Sequence, residues 1–323
     1  VSGAAGTALA RAVELLRAGD VVAFPTETVY GLGADARNPA AVRRIYALKG
    51  RPPGHPLIVH LASADALPEW AAHVPPAARR LAERYWPGPL TLVLPRAAGV
   101  PDEVTGGQDS VGLRVPAHPV ARALLERFGG GIAAPSANRY GRVSPTLAEH
   151  VRDEFGDAVP LVLDGGDCEV GLESTIVSFL QAAPLLLRPG GITLAQLEAV
   201  AGPVRRAAVG EGPRAPGTTR SHYAPATPVR RVSHDALSAA PADAAVLALG
   251  PAPHAYAGPL WIDAGAEPGR YAHDLYANLR RLDRSGAAEI LVEEPPTAAA
   301  WEAVHDRLGR AAARDDAEAV EGP

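Results

Sequence analysis

The sequence predicts an α/β protein of two domains, and three observations carry that expectation. Short apolar runs of strand length alternate with amphipathic helical stretches. At 323 residues the chain exceeds the usual single-domain size, and 47% hydrophobic residues suffice for more than one core. Residues 203–228, rich in Pro, Gly, Arg and Thr, have no hydrophobic period and divide the alternation in two. The expected partition is a first domain over 1–202, a linker over 203–228 and a smaller domain over 229–323.

Thr7 to Ala18 reads as a helix with Leu9, Val13 and Leu16 on one side, leading into a strand over Val21 to Phe24. A Pro-Thr-Glu-Thr turn follows, then Gly31 and Gly33, which permit close backbone approach or positive φ. Asn38 caps the next helix, with Pro39 at its first position, Val42, Ile45, Tyr46 and Leu48 at helical spacing, and Gly50 at its end. Leu57 to Leu61 is a strand, Pro76 to Tyr85 a helix, and Trp86-Pro-Gly-Pro a stiff corner before the strand Leu90 to Leu94. Val111 to Val115 is a strand with Arg114 at its end; Pro119 to Phe128 is a helix, Ile132 to Ala134 a strand, and Pro135 to Asn138 a polar turn. Thr146 with Glu149 reads as a capping box opening a helix to Phe155, and Leu161 to Leu163 as a strand. Ser174 to Phe179 and Leu185 to Arg188 pair as strands, and Thr193 with Gln196 opens a capped helix that closes at Gly202.

Beyond the linker, strands over Val229 to Val232, Ala245 to Leu249, Leu260 to Ile262 and Glu289 to Glu293 alternate with helices, the clearest being Tyr271 to Ser285 and Thr297 to Ala313. That order predicts a small parallel or mixed sheet. Arg314 to Pro323 is polar and acidic and reads as a frayed end.

Composition narrows the chemistry. A net charge of −5 argues against a protein whose main task is to neutralise a nucleic-acid backbone, so any cationic site must be concentrated. Cys168 is the lone cysteine, which leaves no intramolecular disulfide, redox pair or cysteine zinc cluster. No leader and no apolar run near the roughly 20 residues of a membrane span are present, and a cytoplasmic protein is expected. There is no P-loop, no G-x-G-x-x-G after a strand, no H-E-x-x-H and no G-x-S-x-G elbow.

What remains is a polyanion site. Of 31 basic residues only Lys49 is a lysine, so almost every positive charge was free to be arginine. A compact ammonium suits phosphate oxygens where a planar guanidinium does not fit. Polar clusters fall at strand ends or just after them: Thr26, Thr28 and Tyr30; Lys49 and Arg51; Arg114; Ser136, Asn138 and Ser144; Ser174 and Thr175; Arg188. Open α/β sheets bind ligands outside such ends, so the clusters are expected to converge. Singly, each has an ordinary structural reading: hydroxyls form turns, His60 sits in a core, and Lys49 with Arg51 complements a helix dipole by about 0.3–1 kcal/mol. Glu27 and Glu173 are candidates to orient other residues.

The ordered motifs PTETVYGLG at Pro25, KGRP at Lys49 with HPLIVH at His55, WPGPLT at Trp86, LRVPAHP at Leu113, APSAN at Ala134 with SPT at Ser144, GLESTI at Gly171 and RPG at Arg188 resemble the Sua5/YrdC family of threonylcarbamoyl-AMP synthases. SHYAP at Ser221 and the segment after it resemble the long Sua5 form. The resemblance implies a YrdC-like twisted mixed α/β domain with a basic cavity, followed by a smaller Rossmann-like Sua5 domain. It implies a nucleotidyltransferase that converts L-threonine, bicarbonate and ATP to threonylcarbamoyl-AMP and pyrophosphate, the first step toward t6A in tRNA. The product would pass to a TsaD-type tRNA threonylcarbamoyltransferase, without stable tRNA binding and without a membrane.

By the same resemblance Lys49 and Arg51 are the catalytic cations on the triphosphate and carbamate. Ser136, Asn138, Ser144, Ser174, Arg188 and Tyr223 complete the ATP site. Thr26, Thr28, Tyr30, His60, Arg114 and Ser174 form the threonine pocket. His222 and Tyr223 would let the 203–228 linker close as a gate over the cavity, and Mg2+ rides on the ATP phosphates rather than on a protein cage. Tyr140 stands where members often carry a small residue, Ser178 where an acid commonly follows the EST strand, and Thr218-Thr219-Arg220 replaces a Met-Lys-Tyr-Lys type of linker. Two rivals are an RNA-binding module, opposed by the acidic charge, and an O-carbamoyl transfer enzyme, which needs a further large ATP-binding domain.

Overall fold

The computed structural model describes residues 4–208 and 210–313, so the acidic stretch from Arg314 lies outside the described residues. Two compact units emerge. One comprises the chain to Tyr140 with Pro145–Thr218; the other comprises Gly141–Ser144 with the chain from Thr219 onward.

In the first unit, α1 (Ala4–Arg17) leads to an antiparallel hairpin of β1 (Val22–Phe24) and β2 (Gly31–Asp35). α2 (Pro39–Lys49), β3 (Ile58–His60), α3 (Leu67–Trp70), α4 (Pro76–Tyr85), β4 (Leu90–Pro95), α5 (Asp102–Thr105), β5 (Ser110–Arg114), α6 (Pro119–Phe128) and β6 (Ile132–Ala133) follow. α7 (Ala148–Phe155), β7 (Thr175–Ser178), β8 (Leu185–Arg188), α8 (Leu194–Ala201) and β9 (Arg205–Arg206) complete it. Among the described residues the strands form one mixed sheet in the order β1-β2-β6-β3-β5-β4-β7-β8-β9. Pairing is parallel at β3/β5, β4/β7 and β8/β9 and antiparallel elsewhere.

Side-chain alternation gives this sheet its two uses. Leu90, Leu92 and Leu94 of β4 point into the main core with Val59, Leu113 and Val177 and with Val42, Ile45 and Tyr46 of α2. Leu9, Val13 and Leu16 of α1 pack with Leu124 and Leu125 of α6 in a second core. On the other side of β3, β4 and β7, Ile58, Val93 and Ile176 form a small apolar patch with Leu185, Leu187 and Ala215. His60, Thr91, Arg114 and Ser174 lie two residues from Ile58, Val93, Gly112 and Ile176 on their chains, and so share that second face.

Local chemistry fixes α2, which delivers the lysine. The Asn38 side chain accepts from the Ala40 and Ala41 amides, Pro39 opens the first turn, and Gly50 closes the last in the left-handed conformation at φ 63°.

Of the two alternatives for Gly31 and Gly33, close approach holds: both lie in β2, where a Cβ on Gly33 would sit 2.6 Å from Phe24 Cε1 and 2.8 Å from Ile132 Cγ2. Three expectations are corrected. The Thr146/Glu149 capping box does not form: α7 starts after Leu147 with no side-chain cap, and the Thr146 amide instead donates to His150 Nδ1 at 3.3 Å. Leu161 to Leu163 makes one bridge, Val162 to Ala23, rather than a strand. The start of the expected linker is structured, because β9 pairs with β8 and the Arg214 amide donates to Gln108 Oε1 at 2.8 Å.

The second unit contains β10 (Val229–Val232), β11 (Ala244–Ala248), β12 (Trp261–Asp263), α9 (Pro268–Asp283), β13 (Glu289–Glu293) and α10 (Glu302–Ala312). Its sheet is parallel throughout, in the order β10-β13-β11-β12, as expected when helices make the crossovers. Among the described residues no helix is long and apolar enough to cross a membrane.

Candidate active site

α2 ends by pushing Lys49 into the first unit, where it is 3% exposed. Its Nζ donates to the carbonyl of Ser136 at 2.6 Å and to that of Asn138. The turn after β6 is thus tied to the end of α2, and the Tyr140 amide donating to the Lys49 carbonyl at 2.8 Å adds a second tie. Burial pulls the Lys49 ammonium well below its ordinary pKa, Arg51 pushes the same way, and Glu154 opposes them. Arg51 is buried and donates through Nε to the His55 carbonyl at 3.4 Å and through Nη2 to the Pro56 carbonyl at 2.9 Å.

The loop between β1 and β2 joins this group through backbone pairing. The Ala137 amide donates to the Tyr30 carbonyl, and Ser136 bridges Gly31. Inside the loop Thr26 Oγ1 donates to the Val29 carbonyl at 2.7 Å and accepts from the Thr28 and Val29 amides. Thr26 therefore holds the turn. Tyr30 donates its hydroxyl to the Gly166 carbonyl at 2.8 Å, and burial pushes that phenol up to about 12. Thr28 Oγ1 receives Arg114 Nη1 at 2.8 Å.

Arg114 ends β5 in register with His60 on β3. Its Nε donates to the Gly88 carbonyl at 3.2 Å, and Nη2 lies 2.6 Å from Glu27 Oε1 in an ion pair whose two side chains are each 4% exposed. Glu27 Oε2 accepts from the Ala117 amide at 3.0 Å, so the acid orients the arginine and anchors the strand exit. His60 is 4% exposed; burial, with Arg114 adding to it, lowers its pKa to about 3 and keeps it neutral. Its Nδ1 is buried with no hydrogen-bond partner among the described residues. Such orphaned atoms call for an explanation, and a ligand hydroxyl or amine is one.

Further along the same face, Ser174 Oγ and Thr91 Oγ1 are 2.7 Å apart. Arg188 donates through Nε and Nη2 to the Ser174 carbonyl at 3.1 and 2.9 Å, through Nη2 to Ser174 Oγ at 3.2 Å, and through Nη1 to the Pro216 carbonyl at 2.9 Å. In this conformation Arg188 is a strut between the strand entry and residues 214–216. Those residues line a small cavity over Ile58, Thr91 and Ile176.

The structure therefore brings Lys49, Arg51, Ser136 and Asn138 together, and Thr28, His60 and Arg114 together, with Thr26 holding Thr28 and the Tyr30 backbone tied to the turn of the first group. Ser144, His222 and Tyr223 are placed with the second unit. There Tyr223 takes a left-handed φ of 62°, stacks on Tyr276 with centroids 5.7 Å apart, and lies 5.2 Å from the Arg307 guanidinium. Sequence reasoning missed Thr91, His55 and Gln108. Thr91 alternates with core leucines and carried a usable signal; the other two are joined to the site only by tertiary contacts.

These features define a class: a mixed-sheet α/β protein whose first unit gathers a buried lysine, three buried arginines and several hydroxyls. The Sua5/YciO/YrdC family model, described as telomere recombination, matches residues 14–190, and the model of the threonylcarbamoyl-AMP synthase C-terminal domain matches residues 192–313. The chain belongs to the Sua5/YciO/YrdC family, in the form that carries this C-terminal domain. Threonylcarbamoyl-AMP synthases of Pyrococcus abyssi and Bacillus subtilis are 48% and 47% identical over 68% of this chain, and the aligned stretch spans 66% and 65% of their lengths. A crystal structure of P. abyssi Sua5 complexed with L-threonine matches with a TM-score of 0.87 and 38% identity, covering 94% of both chains. The YrdC-like domain followed by a smaller Sua5 domain is thereby borne out.

Proposed function

We propose that this chain is an L-threonylcarbamoyladenylate synthase, taking L-threonine, bicarbonate or CO2, and ATP to threonylcarbamoyl-AMP and pyrophosphate. One observation carries the reading: the only lysine is buried on the carbonyls of Ser136 and Asn138, beside Arg51, in a unit that lacks a P-loop. The threonine complex of P. abyssi Sua5 supports the same reading of the amino-acid side.

The chemistry needs no protein nucleophile. The threonine amine adds to CO2 and loses a proton, giving a carbamate. A carbamate oxygen attacks the α-phosphorus of ATP, and the bond to the β-phosphate oxygen breaks to release pyrophosphate. Catalysis is then positioning and charge stabilisation. Lys49 and Arg51 would take the triphosphate, with Ser136, Asn138 and Ser174 donating to nucleotide oxygens. Arg114 and Thr28 would hold threonine, and His60 Nδ1 would meet its hydroxyl or amine. The site's donors are cations and hydroxyls while Glu27 is engaged with Arg114, so Mg2+ would be held by the ATP phosphates and would neutralise their charge. The reading further assigns the chain to the cytoplasm and to the start of t6A synthesis, with a TsaD-type transferase consuming the product.

Pyrophosphate release with Mg2+ and ATP, omitting threonine or bicarbonate in turn, tests it. Release that needs both, with an adenylate of threonylcarbamate identified by mass, is expected. Release without threonine would overturn the proposal.

A further inference from the structure

Tyr140 sits on the cation that the proposed reaction uses. Its amide is bonded to the Lys49 carbonyl, which fixes the start of the side chain at the end of α2. From there the ring reaches Arg51, whose guanidinium carbon lies 5.6 Å from the ring centroid. The hydroxyl lies 3.1 Å from His55 Nδ1, and the two rings meet edge-on with centroids 5.5 Å apart. The His55 carbonyl in turn accepts Arg51 Nε. Tyr140, His55 and Arg51 therefore close a ring of contacts, with the Pro56 carbonyl as a further stop on Nη2. Burial and the neighbouring arginines 51 and 214 lower the pKa of His55, so that its imidazole is neutral and pairs with the phenol as one donor and one acceptor.

We propose that Tyr140 is a positioning residue for Arg51, its ring capping the guanidinium and its hydroxyl fixing His55, so that the arginine is aligned for the triphosphate before ATP arrives. The proposal rests on the synthase reading, since it takes Arg51 as a phosphate ligand. A flexible arginine loses rotamer freedom when it binds, and a guanidinium already held between an aromatic face and two carbonyls has less to lose. The contacts all lie on the KGRP and SAN side, so threonine binding is independent of them.

The test compares the full-length wild type with Tyr140→Ala and Tyr140→Phe, reading KM for ATP, KM for threonine, kcat, Mg-ATP affinity by calorimetry, and Tm. Tyr140→Ala is expected to weaken ATP by about tenfold in both KM and Kd, with KM for threonine within about twofold of wild type. Tyr140→Phe, which keeps the ring, is expected to recover most of the loss. An unchanged KM and Kd for ATP in Tyr140→Ala would overturn the inference, as would a parallel rise in both KM values with a fallen Tm, the signature of a merely structural residue. If the wild type binds Mg-ATP but releases no pyrophosphate, the synthase reading fails while the Kd comparison still decides the role of Tyr140. If it does not bind Mg-ATP, both fall.

Discussion

Lys49 shows at the scale of one residue what burial does to a cation. Its folded-state pKa is depressed, so between that value and the ordinary one near 10.4 the unfolded chain binds more protons, and stability rises with pH through the window. A bound polyanion restores the charged form. ATP binding above the depressed pKa is therefore expected to take up a proton, read by calorimetry in buffers of different ionisation enthalpy, and Lys49→Met is expected to abolish the uptake. Lys49→Arg keeps the charge but cannot place a planar fork on the two carbonyls; a loss of about a hundredfold in kcat/KM is expected, and near-normal turnover would contradict the assignment. Glu27→Gln leaves Arg114 buried without its counter-charge and is expected to cost about 3–5 kcal/mol in urea unfolding. Lys49 stood out in the sequence because of its rarity. Its partners did not, because they are main-chain carbonyls of a turn almost ninety residues on, and no side-chain identity encodes them.

At the scale of elements, the sequence spoke clearly where a local rule had no tertiary rival. α2 has its Asn cap, its Pro and its left-handed Gly as expected, and α8 has the Thr193/Gln196 capping box. The rule failed at α7, where burial of Thr146 and the bond from its amide to His150 outcompete the box. β2 was hidden because two glycines in three residues give no strand signal. They serve the close approach that their lack of a side chain permits, letting Phe24 and Ile132 reach the strand. Gly33→Val is expected to destabilise by about 1–3 kcal/mol through overpacking, seen as a lower urea midpoint at unchanged slope. β9 was unreadable because Arg205 and Arg206 are both exposed and carry no apolar alternation, while the strand joins β8 through its backbone.

For the whole chain, composition ruled out more than it identified. A net charge of −5 coexists with Lys49, Arg51, Arg114 and Arg188 buried in the first unit, so the candidate site gathers basic residues locally while the chain as a whole is acidic. Fluorescence anisotropy with unmodified tRNA is expected to give only weak, steeply salt-dependent association in the non-specific range, about 10⁻⁴–10⁻⁶ M near physiological salt. A tighter, salt-tolerant complex would contradict that. The division into units was legible as a number and not as a boundary. Composition placed a connection at 203–228, whereas the contacts assign residues to 218 to the first unit and take Gly141–Ser144 into the second. Four residues lifted out of one unit's sequence leave no compositional trace.

The burial of the sole lysine has a practical consequence for chemistry performed on the protein. Apart from the α-amino group, an amine-reactive ester has one target in these 323 residues, and it is 3% exposed. Acylation at Lys49 therefore counts openings around a single side chain, with the α-amine as the one other site, and its slowing by nucleotide, read by mass on the peptide that carries Lys49, would report occupancy.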